Sequence, residues 1–200
     1  METRFAQASA DASRSGTQVA IMFLDLDSFK TINDSLGHPV GDALLKGVAE
    51  RLSNFVRASD FVSRHGGDEF LIMFTGLASV ADVSLAAERL VQDFSAPFLI
   101  DGHEIATSFS VGIAICPQDG IDFATVLKRA DIAMYQAKAA GRATYRLFSD
   151  QMDVAALGVE SQEVVHSRNP DHRRLVIEGR VWPMPVVVID EGLQRGLAQG

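Results

Sequence analysis

The longest unbroken apolar run in the chain, Val19-Ala20-Ile21-Met22-Phe23-Leu24, ends in Asp25-Leu26-Asp27. A run without polar alternation reads as a strand covered on both faces, so residues 17–27 are predicted as a central strand. Side chains alternate along a strand. Asp25 and Asp27 therefore share one face, while Leu26 anchors the other and leaves its carbonyl at the strand tip. Ahead of this strand, residues 2–14 read as a short Ala-rich helix with a weak apolar stripe, broken by Gly16. After it, residues 28–36 read as a short helix with Asp27 or Ser28 as cap and Gly37 as stop. His38-Pro39 starts the next element. Val40, Leu44, Leu45, Val48, Leu52 and Phe55 recur at helical spacing, which predicts an amphipathic helix over residues 40–57 with Asp42 in its first turn.

A second apolar run, from Phe70 to Phe74, follows Arg64-His65-Gly66-Gly67-Asp68-Glu69. Paired glycines permit a tight reversal, so residues 61–64 and the run after Glu69 are predicted as a β-hairpin with two acids at its tip. Residues 79–94 read as a helix with Val83, Leu90 and Val91 on or near its buried side. Asp101-Gly102 marks a further hairpin between residues 98–100 and a strand from Glu104 onward. Thr107, Phe109, Val111, Ile113 and Ile115 then alternate with Ser108, Ser110, Gly112 and Ala114, and that small-residue face lets a helix pack close. Pro117 and Gly120 end the strand. Asp122 caps a helix carrying Val126, Ala130, Ala133, Met134 and Ala137, with Gly141 at its C′ position. Residues 143–148 form a last short strand. The sequence of elements predicts an α+β fold, related to the split βαβ arrangement, with helices flanking a mostly antiparallel central sheet.

The pattern divides the chain into a domain at residues 1–150 and a poorly defined tail or linker at 151–200. The tail carries Asn169-Pro170, Pro183 and Pro185 and one strand candidate at residues 186–189.

Composition narrows the chemistry. Two hundred residues at 47% hydrophobic suffice for one domain with a core. A formal net charge of −8 argues against a nucleic-acid backbone as partner. The single cysteine, Cys116, allows no internal disulfide, and there is no Cys cluster for structural zinc. No stretch reads as a signal peptide or is long enough to span a bilayer, so a soluble, cytoplasmic domain is expected.

That leaves the acids. Asp25, Asp27, Asp68 and Glu69 converge at one sheet end if the first strand and the central hairpin are neighbours. Carboxylates with a backbone carbonyl suit Mg2+ or Mn2+, hard cations that commonly keep a nucleotide phosphate in their shell. Phosphoryl or nucleotidyl transfer is the chemistry such a site performs. Asp68 and Glu69 are adjacent, so one of them is expected on the face of Asp25.

The motifs around these acids resemble those of the GGDEF domain of diguanylate cyclases over roughly residues 17–150. They are Asp25-Leu26-Asp27-Ser28-Phe29-Lys30, Asn33-Asp34, Gly37-His38, Gly41-Asp42, Gly66-Gly67-Asp68-Glu69-Phe70 and the segment from Ala130 to Lys138 with Gly141-Arg142. The resemblance implies a nucleotidyl-cyclase or palm-like fold. It also implies an enzyme that condenses two GTP into cyclic di-GMP and two pyrophosphates in a transient homodimer. Carried over, Asp25, the Leu26 carbonyl and Asp68 would hold the metal. Asp68 or Glu69 would help deprotonate the 3′-hydroxyl, with Lys30 on the phosphates. Asn33 and Asp42 would read guanine, His38 would line the pocket and Gly67 would admit the phosphates. Lys138 and Arg142 would hold the terminal phosphates. Arg57-Ala58-Ser59-Asp60 resembles the family's inhibitory site for cyclic di-GMP.

Several readings stay open. Asp27 is either a helix cap or a metal contact. Asp34, Asp131 and Tyr135 are read as structural. The family's Asp-x-Leu-Thr-x-Leu-x-Asn-Arg segment is absent ahead of the first helix, and no phosphodiesterase motif appears in the tail. The missing brace favours, as the alternative, an impaired module that binds GTP or cyclic di-GMP and regulates a partner. A primer-extending palm is disfavoured by the acidic balance and the lack of a basic groove.

Overall fold

In the computed structural model, residues 1–152 and two short strands at 174–177 and 180–183 are described. The chain divides into two units, Met1–Ala156 and Leu157–Gly200. The first contains α1 (Glu2–Ser15), β1 (Gln18–Leu26), α2 (Phe29–Leu36), α3 (His38–Phe55), β2 (Phe61–Gly66), β3 (Glu69–Leu77) and α4 (Val80–Asp93). It continues through β4 (Phe98–Ile100), β5 (His103–Ile105), β6 (Phe109–Cys116), α5 (Phe123–Ala139) and β7 (Thr144–Leu147). The second unit contributes an antiparallel hairpin of β8 (Arg174–Ile177) and β9 (Arg180–Pro183). The strand expected at residues 186–189 lies outside the described residues.

Five strands form the main sheet in the order β2-β3-β1-β6-β7. β1 is central and antiparallel to both neighbours; only the β6–β7 pair is parallel. The fold is thus α+β with a mostly antiparallel sheet flanked by helices, as the pattern predicted. The unbroken apolar run makes β1 the middle strand, because both of its faces are covered. On one face Met22, Leu24 and Leu26 join Phe70, Ile72, Val111 and Ile113 from its neighbours, and α3 and α4 close over them with Leu44, Val48, Leu52, Val83 and Leu90. Burying each such Leu or Ile contributes about 1.5–3 kcal/mol.

The other face meets α1 and α5. Here β6 presents its small residues, and α5 sits so close that a Cβ on Gly112 would collide with the Ala130 carbonyl and the Met134 amide. Asp122 caps α5 as expected, accepting from the Thr125 amide at 2.9 Å. Ser79 caps α4 in a reciprocal box with Asp82.

Three local expectations need correction. Helix α3 begins at His38, because Pro39 is well placed in a first helical turn, so Asp42 falls in the second turn. Ser28 occupies the N-cap of α2 in a left-handed conformation (φ 62°) and makes no side-chain cap, and Asp27 does not replace it. The Asp101-Gly102 hairpin closes on itself as a separate two-stranded sheet. β6 starts afresh at Phe109, after Thr107 and Ser108 have turned their hydroxyls to Asp27.

Candidate active site at one end of the sheet

The tip of β1 and the turn of the β2–β3 hairpin lie side by side. Asp25 pairs in register with Glu69 on β3 and with Ser110 on β6. Directly opposed residues of antiparallel strands project to the same face, with Cβ atoms about 4.5–5.5 Å apart. Glu69 is therefore the hairpin acid that shares Asp25's face. Asp68 sits in the two-residue loop with Gly67 (φ 51°), and its carbonyl accepts the Leu26 amide at 3.1 Å. Of the two adjacent acids, one of which is expected on the face of Asp25, the register puts Glu69 there.

The pairing slips by one between Arg64 and Gly66, which makes His65 the extra residue of a bulge. Its ring packs edge-on against Phe23 at 5.4 Å. Burial there pushes the imidazole below its ordinary pKa. Arg64 braces the turn, with Nε donating to the Gly67 carbonyl at 2.9 Å.

Helix α5 brings cations to the same acids. Lys138 Nζ lies 2.6 Å from Asp25 Oδ2, with both side chains largely buried. Asp27 resolves differently from either reading. Its Oδ2 accepts from Ser108 Oγ at 2.6 Å and from the Ala143 amide at 3.2 Å, and its Oδ1 accepts from Ser110 Oγ at 2.7 Å. The Arg142 guanidinium reaches Asp27 only at 4.0 Å and is mostly exposed. A signal for this was present in the sequence: Ser108 and Ser110 put two hydroxyls on a strand face that is otherwise apolar, and buried hydroxyls need partners.

Helices α2 and α3 meet at Gly37. Asn33 projects to Gly41, where a Cβ would collide with its Oδ1. That Oδ1 is buried and has no hydrogen-bond partner. A buried amide oxygen without a donor is a costly arrangement, and a ligand N–H would relieve it. Lys30, His38 and Asp42 are exposed around the same α2–α3 corner.

The inhibitory-site residues are placed less simply. Arg57 is exposed, but Asp60 is only 8% exposed. Both Asp60 oxygens accept backbone amides, from Arg57 at 3.2 Å and Thr75 at 3.2 Å. Asp60 thus closes a turn and tethers β3. The cleft of about 470 Å3 lined by Arg4, Asp11, Ser59 and Thr75 contains none of the site carboxylates.

Asp25 and Glu69 are hard-oxygen donors of the kind a divalent cation takes. No group of three His, Cys, Asp or Glu side chains is poised to hold a metal among the described residues. The donor set fits a cation that draws the rest of its shell from backbone, water and phosphate.

Comparison with known proteins points to one family. The family model described as the GGDEF domain of diguanylate cyclase matches residues 1–144. Diguanylate cyclase TpbB of Pseudomonas aeruginosa is 43% identical over 147 residues, covering 73% of this chain and 34% of TpbB. Signaling protein YkoW of Bacillus subtilis is 41% identical over 158 residues, covering 78% of this chain and 20% of YkoW. Cyclic di-GMP phosphodiesterase NbdA of P. aeruginosa is 43% identical over 141 residues, covering 70% of this chain and 18% of NbdA. The chain thus spans between 18% and 34% of the length of these relatives. The crystal structure of the TpbB GGDEF domain superposes with a TM-score of 0.72 at 41% identity, covering 74% of this chain and 92% of that one. With the motifs, the sheet order and these matches in agreement, the chain belongs to the diguanylate cyclase GGDEF domain family.

Proposed function

We propose that this domain is a working diguanylate cyclase: it binds one GTP and, paired with a second copy, forms cyclic di-GMP and two pyrophosphates. The observation that carries this is the cross-strand pair Asp25 and Glu69 at the sheet end, together with the buried, unpartnered Asn33 amide oxygen on α2.

In this reading Asn33 Oδ1 accepts a guanine N–H, and Asp42 accepts from the same edge. Lys30, Lys138 and Arg142 face the phosphates, Gly67 lets the hairpin turn approach them, and His38 borders the base. Each 3′-hydroxyl oxygen bonds to the α-phosphorus of the other GTP. The bond from that phosphorus to its bridging oxygen breaks, and pyrophosphate leaves. The hydroxyl proton passes to a hairpin carboxylate, Glu69 on the Asp25 face or Asp68 in the loop. Mg2+ or Mn2+, held by Asp25, the Leu26 carbonyl and that carboxylate, would supply Lewis acidity for the step. Lys138 then has two partners, since its ammonium already neutralises Asp25. Arg57 is the exposed contact for product inhibition, with Asp60 holding its turn. A GTP substrate places the domain's work in the cytoplasm.

A second reading is a module that binds GTP or cyclic di-GMP without turnover. It is favoured by the relative NbdA, a phosphodiesterase by name, being as similar as the cyclase TpbB. Incubation of purified protein with GTP and Mg2+ separates the two. Cyclic di-GMP from the wild type, and its loss by a factor of about 100 or more in Glu69→Gln, is the expected result for a lost acid–base group. Binding without product supports the second reading.

A further inference from the structure

Asp27 is buried, adjacent in the strand pattern to the site acids, and takes no part in the chemistry proposed above. Its surroundings are elaborate for a structural acid. The main chain of Asp27 is held by Ser108, whose carbonyl accepts the Asp27 amide at 2.8 Å, and by Thr107, whose Oγ1 donates to the Asp27 carbonyl at 2.9 Å. Its carboxylate takes the Ser110 hydroxyl from β6, the Ser108 hydroxyl from just ahead of it, and one main-chain amide, Ala143, from the turn after α5.

That turn is unusual. Gly141, Arg142 and Ala143 all have positive φ, at 112°, 65° and 47°. Two successive non-glycine residues in the left-handed region are strained and persist only where the surroundings over-determine them. The contact that does this at Ala143 is the Asp27 carboxylate.

Lys138 stands in the last turn of α5 and Ala143 in the turn that follows it, opposite the tip of β1, so that Asp25 meets Lys138 while Asp27 meets the Ala143 amide.

We propose that Asp27 is a positioning residue: by fixing the Gly141-Arg142-Ala143 turn, it sets where Arg142 stands for the terminal phosphates of the nucleotide. This rests on the GTP reading above for the phosphate, and on the structure alone for the turn.

Asp27→Asn keeps the shape and an acceptor for the Ala143 amide but removes the charge; Asp27→Ala removes both. The test has two arms on the folded protein. In the first, amide hydrogen exchange is followed in the free protein. Exchange at Ala143 should rise at least tenfold in Asp27→Ala, and less in Asp27→Asn, while the β1 amides of residues 20–24 keep their protection. In the second, GTP affinity is measured by calorimetry across a double-mutant cycle with Arg142→Ala. Asp27→Asn should weaken GTP by about tenfold in the wild-type background, as expected for a misplaced charged contact, and by less than about twofold once Arg142 is gone. General loosening of the fold would instead give the same loss in both backgrounds and would raise exchange throughout β1; either result overturns the proposal. If Asp27→Ala does not fold, the Asp27→Asn arms decide alone. A wild type that binds no GTP sinks the function proposed above and with it the phosphate half of this one. Unchanged exchange at Ala143 in a wild type that does bind GTP sinks this one by itself.

Discussion

A methyl group on Gly41 would strike Asn33 Oδ1 and lie 2.9 Å from its Cγ. Asn33 belongs to α2, none of whose residues is fully buried, so the amide can swing aside with little loss to the fold. A helical Gly→Ala change also gains propensity. Gly41→Ala is therefore expected to leave Tm within about 4 °C of wild type while GTP affinity falls about tenfold; unaltered affinity in a calorimetric titration would remove Asn33 from the base-reading role. His65 gives a residue-scale pH effect. Burial lowers its pKa from 6.5, so the folded state prefers the neutral ring. The stabilisation is complete above the unfolded pKa and is lost as pH falls through 6.5 toward the lower folded value. Melting temperature should drop across that window, and His65→Phe should flatten the drop. An equal drop in the variant would place the effect elsewhere. At this scale the sequence was least legible. Lys138 and Asp60 each found partners on other elements, and a local pattern carries no information about Asp25 or Thr75 as those partners.

Among the elements, α5 depends on one missing side chain. The neighbours that a Cβ on Gly112 would strike are helix backbone, Ala130 and Met134, which have no flexible end to move. Gly112→Ala must lift α5 off the sheet, and a cost of about 3 kcal/mol is expected for such overpacking. Denaturant unfolding would measure it. Because Lys138 rides on α5, the same variant should lose its hold on Asp25. Elements were the most legible scale. The run at Val19, the helical spacing from Val40 to Phe55 and the small face of β6 each follow from a period that burial imposes. Their ends were less so: Pro39 drew α3 back to His38, and the break between β5 and β6 depends on hydroxyls bonding to Asp27, just past the end of β1.

For the whole molecule, one copy offers, on the function proposed above, one set of residues for guanine and phosphates, whereas cyclic di-GMP contains two nucleotides. Turnover per copy should therefore rise with protein concentration until pairing saturates. A rate per copy that stays constant across a hundredfold dilution would contradict the paired mechanism. Strand neighbours were legible only by assumption, since convergence of the acids required β1 beside β3, and no sequence period reports which strands pair. The sheet order also bears on how the chain is made. β1 is synthesised before both of its partners: β3 follows two helices and a strand, and β6 follows α4 and a further hairpin. Until then the ribosome holds out a bare Val-Ala-Ile-Met-Phe-Leu ribbon, uncharged, of the kind that zips onto its own copies. The strand that makes the finished site rigid is, during translation, the segment most in need of a chaperone.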